Sequence, residues 1–321
     1  MVGSLGSRRF IRVGISSCLL GEAVRFDAGH KRNPLVKELL GRHFEWVSVC
    51  PEVESGMGIP REPVRLVGDP IRPRMIGVKS AKDHTRAMEK FSRARVHALA
   101  EMDLSGYILK SRSPSCGVHR VKLYADNGGP GVGSSRGIFA RHLLEAFPWL
   151  PIEEEGRLND ARIRENFIER VFCYRRWRDL LDEGLTPARL VAFHTAHKVL
   201  LLAHSPARAA KLGRIVAEAK GQAGLARAYG DPFFEALTHR ATPARHANAL
   251  QHMAGHFKRV LPAKDRKELA GIIDDYRRGI VPLVVPVTLI RHFVRKHGIA
   301  YLLRQVYLNP HPKELMLRNQ V

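Results

Sequence analysis

FIRVGISSC, residues 10–18, carries Ile11, Val13 and Ile15 on one short run and then breaks at two serines before a cysteine. β-Branched residues packed this closely read as a buried strand, and the break reads as its carboxyl end. The same sentence recurs twice. FEWVSVC (residues 44–50) ends in Cys50 and is followed by Pro51, and SGYILK (residues 105–110) runs into SRSPSCG, which holds Cys116. Between these runs lie helical patterns. NPLVKELLGRH (33–43) offers Asn33 as a cap, Pro34 at the first helical position and Leu35, Leu39 and Leu40 at helical spacing. HTRAMEKFSRARVHALAE (84–101) and SSRGIFARHLLEAF (134–147) are also expected to be helices, with PIEEEGRLND (151–160) a final edge strand. Strand–helix alternation predicts an α/β domain with a Rossmann-like parallel sheet. All strands of such a sheet end on one rim, where the loops build the active site. Cys18, Cys50 and Cys116 are therefore expected on one rim.

Three converging thiols suit two kinds of centre. One is a zinc site completed by water or by a histidine such as His30 or His119; the other is an iron–sulfur cluster with one iron left open. Three cysteines buried independently are the plain alternative. Against that stand the turn formers beside them, Ser16 and Ser17, Pro51, Pro114 and Gly117, whose amides and hydroxyls can bond to sulfur and tune a cluster. Cys173, inside FIERVFCYRRW (167–177), is expected in a helix as a core or linker residue.

From about residue 160 the pattern becomes helical throughout, with breaks at Thr186-Pro187, Ser205-Pro206, Asp231-Pro232, Thr242-Pro243 and Leu261-Pro262, where proline suits a helix start. The chain of 321 residues thus divides into an α/β domain over 1–158 and an all-α domain over 159–321, entered through a linker helix at 159–185. Neither the amino-terminal MVGSLGSRRFIRVG nor the proline-interrupted IVPLVVPVTLI (280–290) suits a signal peptide or a membrane span, so no membrane association and a cytoplasmic site are expected.

The charge is lopsided: 53 Lys and Arg against 31 Asp and Glu, net +22. Residues 1–150 hold 24 basic and 14 acidic side chains, leaving 29 and 17 for the rest, so the excess is no detachable tail. A polyanion partner follows, because binding phosphates releases condensed counterions.

SSCLLGEAVRFDAGHK (16–31), VCPEVESGMGIPREPVRL (49–66) and LKSRSPSCG (109–117) together resemble the thiouracil/thiouridine desulfidase family over residues 10–158. AFHTAHKVLLLAHSP (192–206) and YLLRQVYLNPHPKELMLR (301–318) resemble the helical domain often fused to it in tRNA 4-thiouridine desulfidases. One departure is Ala28 in RFDAGH, where a second glycine is expected. The resemblance implies a 4Fe–4S cluster on Cys18, Cys50 and Cys116, an open iron for the substrate's sulfur, and hydrolytic conversion of 4-thiouridine in tRNA to uridine. The 1–158 part becomes the desulfidase domain and the 159–321 part an RNA-binding domain. A desulfidase of free thiouracil or another thiolated base is the alternative within the enzyme class. A non-catalytic RNA-binding protein with a structural three-cysteine metal site is the alternative outside it.

A carboxylate near the cluster would activate water. Glu52, two residues past Cys50, is the expected base, with Glu54 its competitor. Ser113 is the expected catalytic hydroxyl, and Ser115, Asp27 and His30 the expected substrate contacts. For RNA the candidates are Arg112, the junction group Arg175, Arg176 and Arg178, then Lys198, Arg208, Lys211, Arg214, Arg291 and Arg295. His194, His197 and His204 recur on one helical face, for which packing or RNA contact is a better account than a second metal. No protein partner is legible.

Overall fold

The computed structural model describes residues 11–126, 129, 131–221 and 223–319. The chain divides into two compact units between Asp160 and Ala161. In the first unit the strands are β1 (Ile11–Ser16), β2 (Phe44–Val49), β3 (Val64–Val67), β4 (Arg74–Gly77), β5 (Leu104–Leu109), β6 (Val121–Tyr124), β7 (Gly131–Ser135) and β8 (Ile152–Glu154). Among the described residues they form two sheets, ordered β2-β1-β5-β8 and β4-β3-β6-β7.

The first sheet is parallel throughout. β1 and β2 run in step, from Ile11 opposite Phe44 to Ser16 opposite Val49. Both therefore stop at the same height, and Cys18 and Cys50 leave the same edge. β5 is buried along its whole length and lies beside β1, with Ile15 opposite Ile108. Gly14 is what lets the two strands and the fully buried Tyr107 coexist: a Cβ there would come within 2.2 Å of the Tyr107 ring. Helices α1 (Thr85–Ala100) and α2 (Ile138–Ala146) belong to the crossovers.

Two sequence expectations change here. The stretch 134–147 is not one helix: Ser134 and Ser135 pair with Lys122 and Val121 as the end of β7, and α2 begins only at Ile138 after an extended Gly137. The segment 33–43 is helical but broken into π and 3-10 turns at Leu35–Leu39 and Leu40–Arg42, although Asn33 Oδ1 does accept the Val36 N–H at 3.2 Å. The second sheet is wholly unforeseen. Its strands, four or five residues long, are inserted in the chain after the β2 and β5 loops, and their apolar face closes on Leu66, Met75, Met88, Val121, Leu123 and Ile138. Strands that short carry too little alternation to register as a pattern.

The second unit consists of helices among its described residues: α3 (Ala161–Asp182), α4 (Pro187–His204), α5 (Pro206–Ala217), α6 (Leu225–Thr238), α7 (Pro243–Ala254), α8 (Ala263–Arg277) and α9 (Val284–His297), with shorter turns after them. Thr186 and Thr242 cap α4 and α7, each accepting a backbone N–H at 3.3 Å, with proline next in line. Pro232 departs from expectation: it lies inside α6 and does not begin it. An interior proline costs about 3 kcal/mol through its missing N–H and ring clash. The offset comes from packing on either side of it, where Tyr229 and Phe233 stack on the fully buried Trp177 at 5.5 and 6.2 Å between ring centres.

A buried charge network ties α3 and α4 to the carboxyl-terminal segment. Arg318 reaches Glu165 at 3.0 Å and Glu169 at 3.2 Å, and Glu169 meets His204 at 2.5 Å. Burial alone would raise the Glu169 carboxyl, but His204 and Arg318 outweigh it and bring it down to about 2. Burial likewise works against charge on His204, and Glu169 reverses it, leaving the imidazole above its ordinary value. Cys173 sits fully buried in α3, its thiol pushed up to about 12 by burial. Among the described residues no helix is long and apolar enough to cross a membrane.

Candidate active site

The rim of the parallel sheet closes around a pocket of about 330 Å³. Cys18 enters it from the short turn Ser17–Leu20 after β1, Cys50 from the end of β2 and Cys116 from the loop after β5. Gly137 holds that last loop in place. Its N–H donates to the Gly117 carbonyl at 2.8 Å, and a Cβ on it would press to 2.4 Å from the Ser115 carbonyl oxygen. Val118 and His119 are tied by their N–H groups to Glu154 Oε1 at 2.7 and 3.0 Å. The thiols are thus carried on a fixed frame.

Burial pushes all three thiols up: Cys18 to about 11, with Cys50 beside it adding to the rise, Cys116 to about 12, and Cys50 in the same direction. A coordinating cation reverses this outright by deprotonating the thiol it binds. The Ser115 hydroxyl lies 3.6 Å from Cys116 Sγ, the kind of contact that tunes a ligating sulfur. Among the described residues no three His, Cys, Asp or Glu side chains gather about one point as a single ion requires. Three soft thiols lining one cavity are a donor set that suits an iron–sulfur cluster.

Glu52 faces this pocket and is almost fully engaged. Arg61 donates to its Oε2 at 2.6 and 3.2 Å, and Oε1 receives the Ser115 hydroxyl at 2.8 Å and the Ser113 hydroxyl at 3.3 Å. The two serine oxygens are 2.9 Å apart. Glu54 does different work: it accepts the Cys50 N–H at 2.8 Å and pairs with Arg95 at 3.4 Å. Of the competing carboxylates, Glu52 is the one in the cavity.

Other expected contacts lie elsewhere. Asp27 Oδ1 closes a turn on the Gly29 N–H at 3.1 Å, and His30 Nδ1 does the same for Arg32 at 3.3 Å; both are exposed and neither lines the pocket. From that loop Val24, Arg25, Phe26 and Lys31 reach it. His119 lines a different cavity. Among the RNA candidates, Arg112, Lys198, Lys211, Arg214 and Arg295 are exposed. Arg175 is paired with Asp179 at 2.6 Å, Arg176 donates to the Pro310 carbonyl at 2.7 Å, Arg208 pairs with Glu235 and Arg291 with Asn309, while Arg178 is half-buried on α3. His194 bonds to the Tyr229 hydroxyl at 3.0 Å, and His197 stacks on Phe193, so with His204 all three histidines are packing residues of the helical unit.

Sequence reasoning missed Arg61 and Lys110 as pocket residues. Lys110 sits over the rim, bonded to Glu155 at 2.5 Å, and its charge favours a Cys18 thiolate. Both lie in the cysteine-bearing stretches 49–66 and 109–117, but only the fold shows that their side chains reach the pocket.

The three thiols and the half-buried Glu52 lie in the part of the chain that comparison with known proteins matches to desulfidases of thiolated pyrimidines. Residues 13–155 match the model of the 2-thiouracil desulfurase family, and residues 198–312 match a family of unknown function, DUF1722. The chain belongs to the 2-thiouracil desulfurase family. It is 32% identical over 165 residues to the uncharacterized protein YbgA of Escherichia coli K12, spanning 98% of that protein and 50% of this chain. It is 32% identical over 152 residues to the uncharacterized protein YbbK of Bacillus subtilis 168, spanning 97% of that protein and 46% of this chain. A solved structure described as a 4Fe–4S-dependent thiouracil desulfidase, TudS, is 23% identical and covers 94% of its own chain and 47% of this one, with a TM-score of 0.38.

Proposed function

We propose that the protein is a tRNA 4-thiouridine desulfidase that hydrolyses the thiocarbonyl to a carbonyl, yielding uridine and sulfide. The observation that carries this reading is Glu52, held among three thiols by Arg61, Ser113 and Ser115. Cys18, Cys50 and Cys116, the three thiols that line the pocket, would hold a 4Fe–4S cluster. When bound, such a cluster supplies an iron without a protein ligand, a Lewis acid soft enough for sulfur.

The chain's own residues do the rest. Glu52 accepts the proton of the attacking water, and Arg61 keeps the carboxylate oriented as it does so. Ser113 and Ser115 fix the other carboxylate oxygen and present hydroxyls to the pyrimidine edge. The net change is water in and hydrogen sulfide out, so no reductant is consumed. Exposed Lys198, Lys211, Arg214 and Arg295 in the helical unit supply charge for the RNA backbone.

The test is sulfur loss from 4-thiouridine-containing tRNA, followed by its near-ultraviolet absorbance, with anaerobically reconstituted protein and its Cys116→Ser variant. The parent is expected to bleach the tRNA and the variant to be inactive. Equal activity in the variant would sink the three-cysteine site, and activity on free 4-thiouracil with none on tRNA would sink the tRNA assignment.

A further inference from the structure

A cavity of about 620 Å³ lies wholly within the helical unit, inside the roughly 300–1,000 Å³ typical of small-molecule sites. Its floor is the buried network of Glu165, Glu169, His204 and Arg318, and its walls include the amino ends of α3 and α7 and the carboxyl end of α8. Among the described residues Glu165 and Glu169 are the acids of the lining, and Arg318 and His204 already meet them. Arg277 and Arg278 share Asp274, at 2.7 and 3.7 Å. Two further cations of the lining are not compensated in this way. Arg240 is exposed and has no ion pair or hydrogen bond among the described residues. The Arg245 guanidinium bonds the His204 carbonyl at 2.9 Å and has no carboxylate partner among them.

A neutral donor stands beside these cations. His246, early in α7, lines the cavity, and its Nδ1 lies 2.9 Å from the hydroxyl of the fully buried Tyr307. The phenol has no other hydrogen bond among the described residues, so it is the donor; the reverse would bury an O–H without an acceptor. Burial, helped by Arg318, brings the His246 imidazole down to about 3 and keeps it neutral. The ring proton is therefore on Nε2, an N–H with no partner among the described residues. Thr242 and Pro243 bring the amino end of α7 to the same wall, and the helix dipole adds positive potential there. Val281, Leu283 and Leu317 supply an apolar surface.

We infer that this cavity binds a small organic dianion, a phosphate monoester or a dicarboxylate, with Arg240 and Arg245 on its charged oxygens and the His246 N–H on an inner one. A guanidinium fork matches carboxylate and phosphate oxygens alike. The apolar wall takes a carbon frame, which a bare ion lacks. A small molecule suits a cavity floored by buried side chains, and the exposed cations offered to RNA, Lys198, Lys211, Arg214 and Arg295, line no part of it. The inference stands apart from the desulfidase reading, since all of its residues lie outside the matched stretch 13–155.

The experiment is hydrogen exchange of the full chain titrated with ribose 5-phosphate, succinate, neutral ribose or tRNA, beside the Arg240→Glu and Arg240→Gln/Arg245→Gln variants. Arg240→Glu breaks no contact of the folded chain and covers the case in which loss of Arg245 unfolds it. At least one of the two dianions is expected to protect residues 239–246 saturably and ribose to leave them unprotected. The half-saturating concentration is expected to rise at least about tenfold in both variants. Protection by ribose 5-phosphate alone assigns the site to a phosphate monoester, and protection by succinate alone to a dicarboxylate. Equal protection by ribose, or dianion protection unchanged in both variants, overturns the inference. So does protection by tRNA with none by either dianion, which would hand these arginines to RNA.

Discussion

At the scale of single residues, the site turns on what Glu52 touches. A carboxylate that receives two hydroxyls and a guanidinium is held in one orientation, which is what a general base needs and what an unrestrained surface glutamate lacks. Glu52→Gln keeps the shape and removes the proton acceptor. It is expected to lower kcat by about 10²–10⁴-fold with iron content unchanged, read by single-turnover sulfur release and iron analysis. A fall in iron content to match the activity would make Glu52 a structural support of the thiols. The sequence made Glu52 and Glu54 equals because both follow Cys50 closely. Their difference lies in the turn at Val53–Met57, which aims one at the cavity and folds the other back onto the Cys50 amide. Asp27 and His30 show the converse: chemically suitable side chains in the right loop, spent on closing that loop's own turns.

At the scale of elements, the strands β1, β2 and β5 were legible because each is a compact apolar run ended by a turn. β7 was not, since GVGSS has no apolar periodicity and owes its extended state to pairing with β6. α6 was obscured by Pro232, whose local preference is overridden by aromatic packing on Trp177. The network joining α3, α4 and the carboxyl-terminal segment has a pH signature. Glu169 lies below its unfolded value, so its contribution is present above the ordinary carboxylate range and fades as pH falls toward about 2. His204 lies above its unfolded value, so its contribution is complete below the ordinary imidazole range and is lost as pH rises through the folded value. Thermal stability of the helical unit is thus expected to peak in mildly acidic solution and to decline on both sides. Glu169→Gln leaves His204 without its carboxylate and Arg318 with Glu165 alone, and is expected to cost about 3–5 kcal/mol, measured by denaturant unfolding at that optimum. An unchanged midpoint would show the network to be incidental.

At the scale of the molecule, the net charge of +22 is distributed over both units, and part of it is spent internally. RNA affinity carried by the exposed remainder should fall steeply with salt, with a slope that counts the phosphates neutralised. Filter binding of tRNA across a salt series tests this, and a flat dependence would exclude phosphate contacts as the source of affinity. The sequence by itself determined the parallel sheet, the helical second half and the three cysteines at strand ends, because apolar spacing, proline breaks and strand–thiol juxtapositions are local along the chain. Only the tertiary structure decided which carboxylate faces the thiols and which arginines are already neutralised. Those facts depend on residues tens of positions apart meeting across the sheet, Glu52 with Ser115 and Lys110 with Glu155 among them, and no spacing within a segment records such meetings.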